Sequence, residues 1–377
     1  MVTVLPYVPQ YITVHLGSPN SNAANVTVPF IDYVKNVASS EIYPTWDESA
    51  LRANILAIIS FALNRVYTEF YRSQGYPFDI TSSTAIDQKF INGRNYFNSI
   101  SNIVDSIFND YIRRIGFVEP LAAKFCNGTT VTCEGLSQWG SQYLARQGQN
   151  FVQILRNYYG NNIEIVNDAP LRGYTPSYPG TPLRRGSQGP NVVRLQVMLN
   201  RIGQNYPAIP RISNVDGIFG AQTENAVRTF QRIFGLTADG IVGKATWYRL
   251  VRLYVGVNGL AELESEGQRF YAVNWQVPSN IGIGARGQSV SQLQFMLRVL
   301  SEYINDISPV TEDGIFGQQT QNAVIAFQRF AGLTPDGIVG PATWSALYDR
   351  ASAIIGVTNR LSPQYPGSPL RFGDSDF

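Results

Sequence analysis

VDGIFGAQTENAVRTFQRIFGLTADGIVGKATWYRL (215–250) and EDGIFGQQTQNAVIAFQRFAGLTPDGIVGPATWSAL (312–347) decide how this chain is built. They align at a constant offset of 97 positions, and the match runs upstream with a one-residue shift, GSQGPNVVRLQVMLN against GARGQSVSQLQFMLR. Self-similarity at a fixed period marks two copies of one small module. Each copy reads as a helix (near 190–203 and 288–302), an Asp-Gly turn, a helix (221–233 and 318–330), a second Asp-Gly turn, and a third helix (near 244–254 and 341–352). Apolar residues recur at helical spacing in the middle helix, at Ala226, Val227, Phe230 and Phe234, then at Ala323, Val324, Phe327 and Phe330. Phe219, Phe316, Trp247 and Trp344 are expected in the two cores, and the turns use glycine where φ must be positive.

The elements D-G-I-F-G-x-x-T-x-x-A-V, F-Q-x-x-x-G-L-x-x-D-G-I-V-G and T-W occur in both copies. On them, nearly all of residues 182–350 resembles the peptidoglycan-binding domain family, a compact three-helix module. The resemblance implies that both modules hold the protein on peptidoglycan. Tandem copies suit a binding array better than a catalytic unit.

Composition narrows the chemistry. The 377 residues allow two or three domains with their own cores, and 44% apolar content fits a globular protein. A net charge of +2 with no basic block points to neither nucleic acid nor an anionic membrane. The start, MVTVLPYVPQYITV, lacks a basic n-region and is interrupted by Pro6 and Pro9, so it makes a poor secretory signal. The longest apolar run, ANILAIISFAL (53–63), is too short to span a bilayer. One histidine, His15, and two cysteines, Cys126 and Cys133, cannot build a His-rich zinc site, so no metal and no cofactor is expected. His15 lies in the alternating, strand-like YITVHLG and reads as structural. Carboxylate chemistry is what remains for an enzyme.

Three carboxylates crowd SSEIYPTWDESALRA (39–53). Thr45-x-x-Glu48 reads as a capping box for the following helix, whose apolar residues at 51, 55, 58, 59, 62, 63, 66 and 70 mark one face. Asp47 suits the same first turn through the helix dipole. Glu41 is different. VPFIDYVKNVASS reads as a helix opened by Pro29 with Phe30, Val34 and Val37 on one face, and that spacing next reaches position 41. A glutamate where the stripe asks for an apolar side chain would be partly desolvated, which suits a general acid. Its bland alternative is an ion pair with an arginine at the helix end.

V-P-F-x-x-Y-V-x-x-V-A-S-S-E-I-x-P-x-W-x-x-x-A-L-R-A resembles the opening of the SpoIID/LytB domain, which cleaves peptidoglycan glycan strands, and CEGLSQWGSQYLARQGQNFVQILRNYYG (133–160) resembles its far end. The resemblance spans about 28–166 and implies Glu41 as catalytic acid, with Ser137 and Gln138 lining the site. Two departures stand out: Ile59-Ser60-Phe61-Ala62 replaces the usual Arg-Thr-Tyr-Ala, and Val131-Thr132-Cys133 replaces a Gly-His-Gly. The second removes the histidines that help bind zinc in some members and leaves Cys126 and Cys133 as a disulfide or two free thiols. Together with the modules, the domain resembles the SleC group of spore cortex-lytic enzymes. That implies work on spore cortex, in the cortex or coat, and the early start of the match implies no long pro-segment.

The expected organisation is multidomain α+β: a SpoIID-like α+β domain (1–168), a Pro/Gly-rich linker (169–185), one three-helix module (186–258), a connector (259–282), a second module (283–356) and a tail (357–377). The tail repeats the linker core as YPGxPLRxG, which reads more simply as a truncated third module than as a docking strap. The expected activity is a lytic transglycosylase acting on the MurNAc–GlcNAc bond and leaving a 1,6-anhydro end. An ordinary hydrolase would normally use a second carboxylate, for which Glu134 is the candidate. The rival expectation is a non-catalytic wall-binding or coat scaffold.

Overall fold

The protein is described by a computed structural model that covers residues 6–115, 117–213, 215, 217–267, 280–301, 303–358 and 365–366. Its N-terminal part mixes short strands with helices. In chain order these are β1 (Val8–Pro9), β2 (Tyr11–His15), β3 (Asn25–Pro29), α1 (Phe30–Glu41), α2 (Glu48–Tyr67), β4 (Ile80–Thr81), α3 (Asn98–Ile107), β5 (Tyr111–Arg114), β6 (Phe125–Cys126), β7 (Leu136–Ser137), α4 (Gln138–Arg146), α5 (Phe151–Tyr159), β8 (Ile163–Val166) and β9 (Leu171–Arg172). β2 lies between antiparallel β3 and parallel β4, β5 pairs antiparallel with β8, and β6 pairs parallel with β7. His15 is structural: it stacks on Phe78 at 4.6 Å and bonds Asn25 (2.8 Å) and Ser21 (3.1 Å).

Helix α2 organises this part. Every residue from Ala53 to Tyr67 is buried, so the single apolar face expected from the sequence is corrected to a helix enclosed all round. Polar residues on it find partners: Ser60 accepts from the Ile112 amide (2.8 Å) and Asn64 donates to the Pro120 and Leu260 carbonyls (2.8 Å each). The helix stops at Tyr67. Phe70 therefore lies beyond it, under the Arg65 guanidinium 3.8 Å from the ring centroid.

The modules follow as α6 (Pro190–Asn205), α7 (Ala221–Ile233) and α8 (Lys244–Val257), then α9 (Gln288–Ser301), α10 (Gln318–Phe330) and α11 (Pro341–Thr358). Phe219, Phe316, Trp247 and Trp344 are core residues, all at most 1% exposed. Bridges repeat with the offsets of the sequence: Leu183↔Val242 and Gln188↔Ile218, then Ile281↔Val339 and Arg286↔Ile315. Phe330 departs from expectation. It ends α10 and is 53% exposed, as its counterpart Ile233 is exposed at the end of α7. The core face of that helix is Ala323, Val324 and Phe327, and Phe330 instead lies against the Arg350 guanidinium.

The turns are locked by four buried glutamines that periodicity did not single out. In module two, Gln328 accepts from Gly337 N (2.9 Å) and donates to Asp336 Oδ1 (2.9 Å), the Ile338 carbonyl (3.0 Å) and Thr343 Oγ1 (3.2 Å). Gln231 makes the same four bonds around Gly240, and Gln294 makes them around Gly314. Gln196 likewise holds the amide of Gly217. These glycines sit at φ near +70°, where only glycine is unstrained. The same amide bonds hold the Asp336 carboxyl below the usual range, led by the Ile338 N–H.

Residues 169–185 are not a loose linker. β9 pairs with β1, Leu183 joins module one, and Ser177 and Tyr174 contact the buried Glu69. Trp247 Nε1 of module one donates to the Ser177 hydroxyl (2.9 Å). Burial pushes the Glu69 carboxyl up and the neighbouring Arg194 guanidinium down. The connector adds Lys124–Glu262 and Arg114–Glu264 contacts at 2.8 Å. Of the repeated tail motif, only Tyr365 and Pro366 are described; the Pro366 carbonyl accepts from Arg194 Nε (2.9 Å), docked on module one as a strap would be. The rest of that motif lies outside the described residues.

Replacing Gln328 by Leu leaves the Gly337 N–H buried without an acceptor. Module two is expected to lose about 1–3 kcal/mol, read as a lower midpoint in its urea transition, with α11 melting alongside α10.

Candidate functional site

The end of α1 makes the site. Phe30, Val34 and Val37 are buried, and Glu41, one turn further, is half-buried at the last helical residue. Ile42 turns to extended backbone (φ −127°), and Pro44 keeps the chain from continuing as helix. Glu41 Oε1 accepts from the Lys89 backbone N–H at 2.8 Å, and Oε2 accepts from Gln138 Nε2 at 3.2 Å. The alternative to a catalytic role, an ion pair with an arginine, does not form: none of the ion pairs among the described residues includes Glu41.

Both donors are themselves held. Tyr33 Oη donates to Gln88 Oε1 (2.8 Å), Gln88 Nε2 donates to the Ile58 carbonyl (3.1 Å), and Asn36 exchanges two bonds with the backbone of Ile91. That pins segment 88–91 against α1 and α2 and aims the Lys89 amide at the carboxyl. On the other side, Gln138 and Gln142 stand one turn apart on α4. Gln142 donates to Asp47 Oδ2 (2.6 Å) and accepts from Asp47 N (3.0 Å), while Ser141 accepts from Asn54 Nδ2 (2.7 Å). One face of α4 thus clamps both ends of the 41–47 turn.

Asp47, not Thr45, is the residue before α2, and it makes no side-chain cap. The capping box expected from Thr45-x-x-Glu48 does not form, because Gln142 engages Asp47 and Glu48 pairs along the helix with Arg52 (2.7 Å). Asp47 and Glu48 remain structural.

Glu41 opens into a cleft of about 590 Å³. Its walls include Tyr43, Trp46, Asp87, Lys89, Arg94, Asn127, Gln138 and Trp139. Asp87 is the other carboxylate there, but Arg65 Nε (2.9 Å), Tyr71 Oη (2.5 Å), Thr81 N (3.0 Å) and Thr81 Oγ1 (2.7 Å) all bond to it. Gln138 is in the cleft as expected. Ser137 is outside its lining and accepts from Gly140 N (2.9 Å), capping α4. Glu134 is exposed and outside the lining. Cys126 and Cys133 form a disulfide that closes the segment beside the cleft. Ile59, at the position of the missing arginine, is fully enclosed in the core. Among the described residues no three His, Cys, Asp or Glu come together as metal donors. Asp87, Lys89, Arg94, Tyr43 and Trp139 were missed by sequence reasoning; the aromatics flanking Glu41 and Gln138 were the available signal.

The glycines of the 133–160 segment have physical work. A Cβ on Gly135 (φ +139°) would lie 2.1 Å from the Lys124 carbonyl, where β6 meets β7. A Cβ on Gly140 would lie 2.1 Å from Tyr158 Oη and 2.8 Å from Ser137 Oγ.

Residues 188–250 and 286–347 match the putative peptidoglycan binding domain. Both modules therefore carry that domain. It is 32% identical over 181 residues to the N-acetylmuramoyl-L-alanine amidase CwlM of Mycobacterium tuberculosis, covering 47% of this chain and 40% of that protein. It therefore spans less than half the length of that relative. With the N-acetylmuramoyl-L-alanine amidase CwlL of Bacillus licheniformis it shares 24% identity over 322 residues, 83% of this chain and 84% of the amidase. The solved N-terminal domain of SleB is 36% identical, over 20% of this chain and 96% of that one, with a TM-score of 0.18. No helix among the described residues is long and apolar enough to cross a membrane.

Gly140→Ala is expected to cost about 1–3 kcal/mol by overpacking against Tyr158. Adding Tyr158→Phe, which removes the hydroxyl in the way, should recover part of the loss in a thermal-unfolding cycle, the contact with Ser137 Oγ accounting for the rest.

Proposed function

We propose that the protein is a peptidoglycan-anchored lytic enzyme of the SpoIID/LytB type, acting on the glycan strand of spore cortex as a lytic transglycosylase. Glu41 carries the reading: a half-buried carboxyl lining an open cleft, oriented through both oxygens by the Lys89 N–H and the Gln138 side-chain amide. The protonated carboxyl gives its proton to the glycosidic oxygen between MurNAc and GlcNAc. The bond from that oxygen to the muramic C1 breaks, and C1 gains oxocarbenium character. The carboxylate then takes the proton from the muramic C6 hydroxyl, whose oxygen closes onto C1 and leaves a 1,6-anhydro end. Because the nucleophile belongs to the substrate, one carboxyl suffices. The cleft fits that requirement: Asp87 is saturated by four bonds, and Glu134 stands apart as a base for hydrolysis.

The relatives named as amidases favour a second reading, cleavage between muramoyl and L-alanine. The residues present fit it less well. A zinc-dependent amidase needs about three protein donors around the metal, and no such group of His, Cys, Asp or Glu forms among the described residues. The binding modules alone, as a scaffold, are the third alternative.

Glu41→Gln separates catalysis from anchoring. Binding to purified cortex peptidoglycan should match wild type, while release of soluble glycan should fall by about 100-fold or more. Unchanged release would remove Glu41 from the chemistry; no release by the wild type would leave the scaffold reading.

A further inference from the structure

Three aromatic side chains meet in the cleft and the proposed protonation does not use them. Tyr43, Trp46 and Trp139 are in mutual contact, with ring centroids 5.6 Å (Tyr43–Trp46), 5.5 Å (Tyr43–Trp139) and 5.0 Å (Trp46–Trp139) apart. Trp46 is nearly enclosed, at 8% exposure, while Tyr43 is 56% and Trp139 40% exposed. All three line the same cleft as Glu41. Packing explains Trp46, which anchors the cluster. It does not explain two large rings left about half open to water on the rim of a cleft.

Their placement is fixed by the same contacts that orient the acid. Tyr43 is two residues after Glu41, in the turn that Trp46 N closes onto the Tyr43 carbonyl at 3.1 Å. Trp139 directly follows Gln138, whose amide touches Glu41. Moving the carboxyl therefore moves the aromatic wall with it, which suits a surface that sets the position of a substrate relative to that carboxyl. A pyranose ring presents a face of polarised C–H groups, and the negative π-face of an aromatic ring attracts such a face. The indole N–H and phenol O–H at the rim can also bond to ring substituents.

We propose that Tyr43 and Trp139, backed by Trp46, form a saccharide-stacking subsite that holds the sugar adjoining the scissile bond of a glycan strand. This rests on the proposed glycan-cleaving function of the Glu41 cleft and adds the residues that position the strand there. An apolar protein segment is the competing occupant of such a wall. Continuity with the acid favours the sugar, and so does the tethering of the cleft to two peptidoglycan-binding modules.

The test uses the full chain carrying Glu41→Gln, so that substrate is not consumed, and a GlcNAc–MurNAc tetrasaccharide as probe. Titration calorimetry gives the affinity, and acrylamide quenching of tryptophan emission, read in a chain that also carries Trp275→Phe, reports on Trp139, since Trp46, Trp247 and Trp344 are buried. The sugar should shield Trp139 from acrylamide. Trp139→Ala and Tyr43→Ala should each weaken the cleft's binding on the order of tenfold to a hundredfold, and Trp139→Phe should restore most of it. Tyr43 is exposed enough for its alanine variant to fold if Trp139→Ala does not. Binding at the modules leaves Trp139 quenching unchanged and is thereby told apart. Unaltered affinity in Tyr43→Ala, or no shielding of Trp139 at saturating sugar, overturns the proposal. The two readings fail separately. If Glu41→Gln still releases glycan, the catalytic assignment falls while sugar binding on the wall can stand. If Glu41→Gln abolishes release and Tyr43→Ala binds and cleaves as wild type, only the wall falls.

Discussion

Two glutamines one helical turn apart hold the cleft together. Gln138 reaches the carboxyl at the end of α1, and Gln142 grips the residue that opens α2. With Ser141 bonded to Asn54 between them, the inner face of α4 fixes the turn 41–47 from both sides. Such bonds work because they are buried: a side-chain amide removed from water loses more when unpaired than it gains when paired, so the arrangement with every partner in place is selected sharply. Together with the Lys89 N–H, that contact sets the position of Glu41 and of the rings beside it.

Amide side chains do the same work in the modules. Each Asp-Gly turn is closed by a glutamine that accepts the glycine N–H and donates outward, so turn and helix cannot shift independently. The segment joining the N-terminal part to module one is paired into both, and the buried Glu69 is bonded by Ser177, which also receives the Trp247 indole. Module one is therefore a continuation of the N-terminal body rather than a bead on a string. That gives module one a fixed geometry relative to the cleft.

Much of this was legible in the sequence, and the misses have causes. The module helices fall where the repeat placed them because two copies constrain one pattern. Glu41 stood out because a charged residue interrupted an apolar stripe, and its half-burial matches that reading. Helix α2 read as one-faced because its alanines, serine and asparagines carry little hydrophobic signal, yet they are buried by the elements packed on every side. The capping box failed because Thr45 and Glu48 fit a local motif while Asp47 met a partner 95 residues away. Local spacing carries no information about Gln142. The same holds for the Lys89 amide, whose role depends on a loop that Asn36 and Gln88 draw against the helix.

The proposed function requires that the Glu41 cleft cut the glycan and not the peptide. Mass spectrometry of the soluble products released from purified cortex peptidoglycan by the full chain tests it most directly. A lytic transglycosylase releases muropeptides ending in 1,6-anhydromuramic acid, and these are the expected products. Free stem peptides released from intact glycan strands would contradict it and establish an amidase.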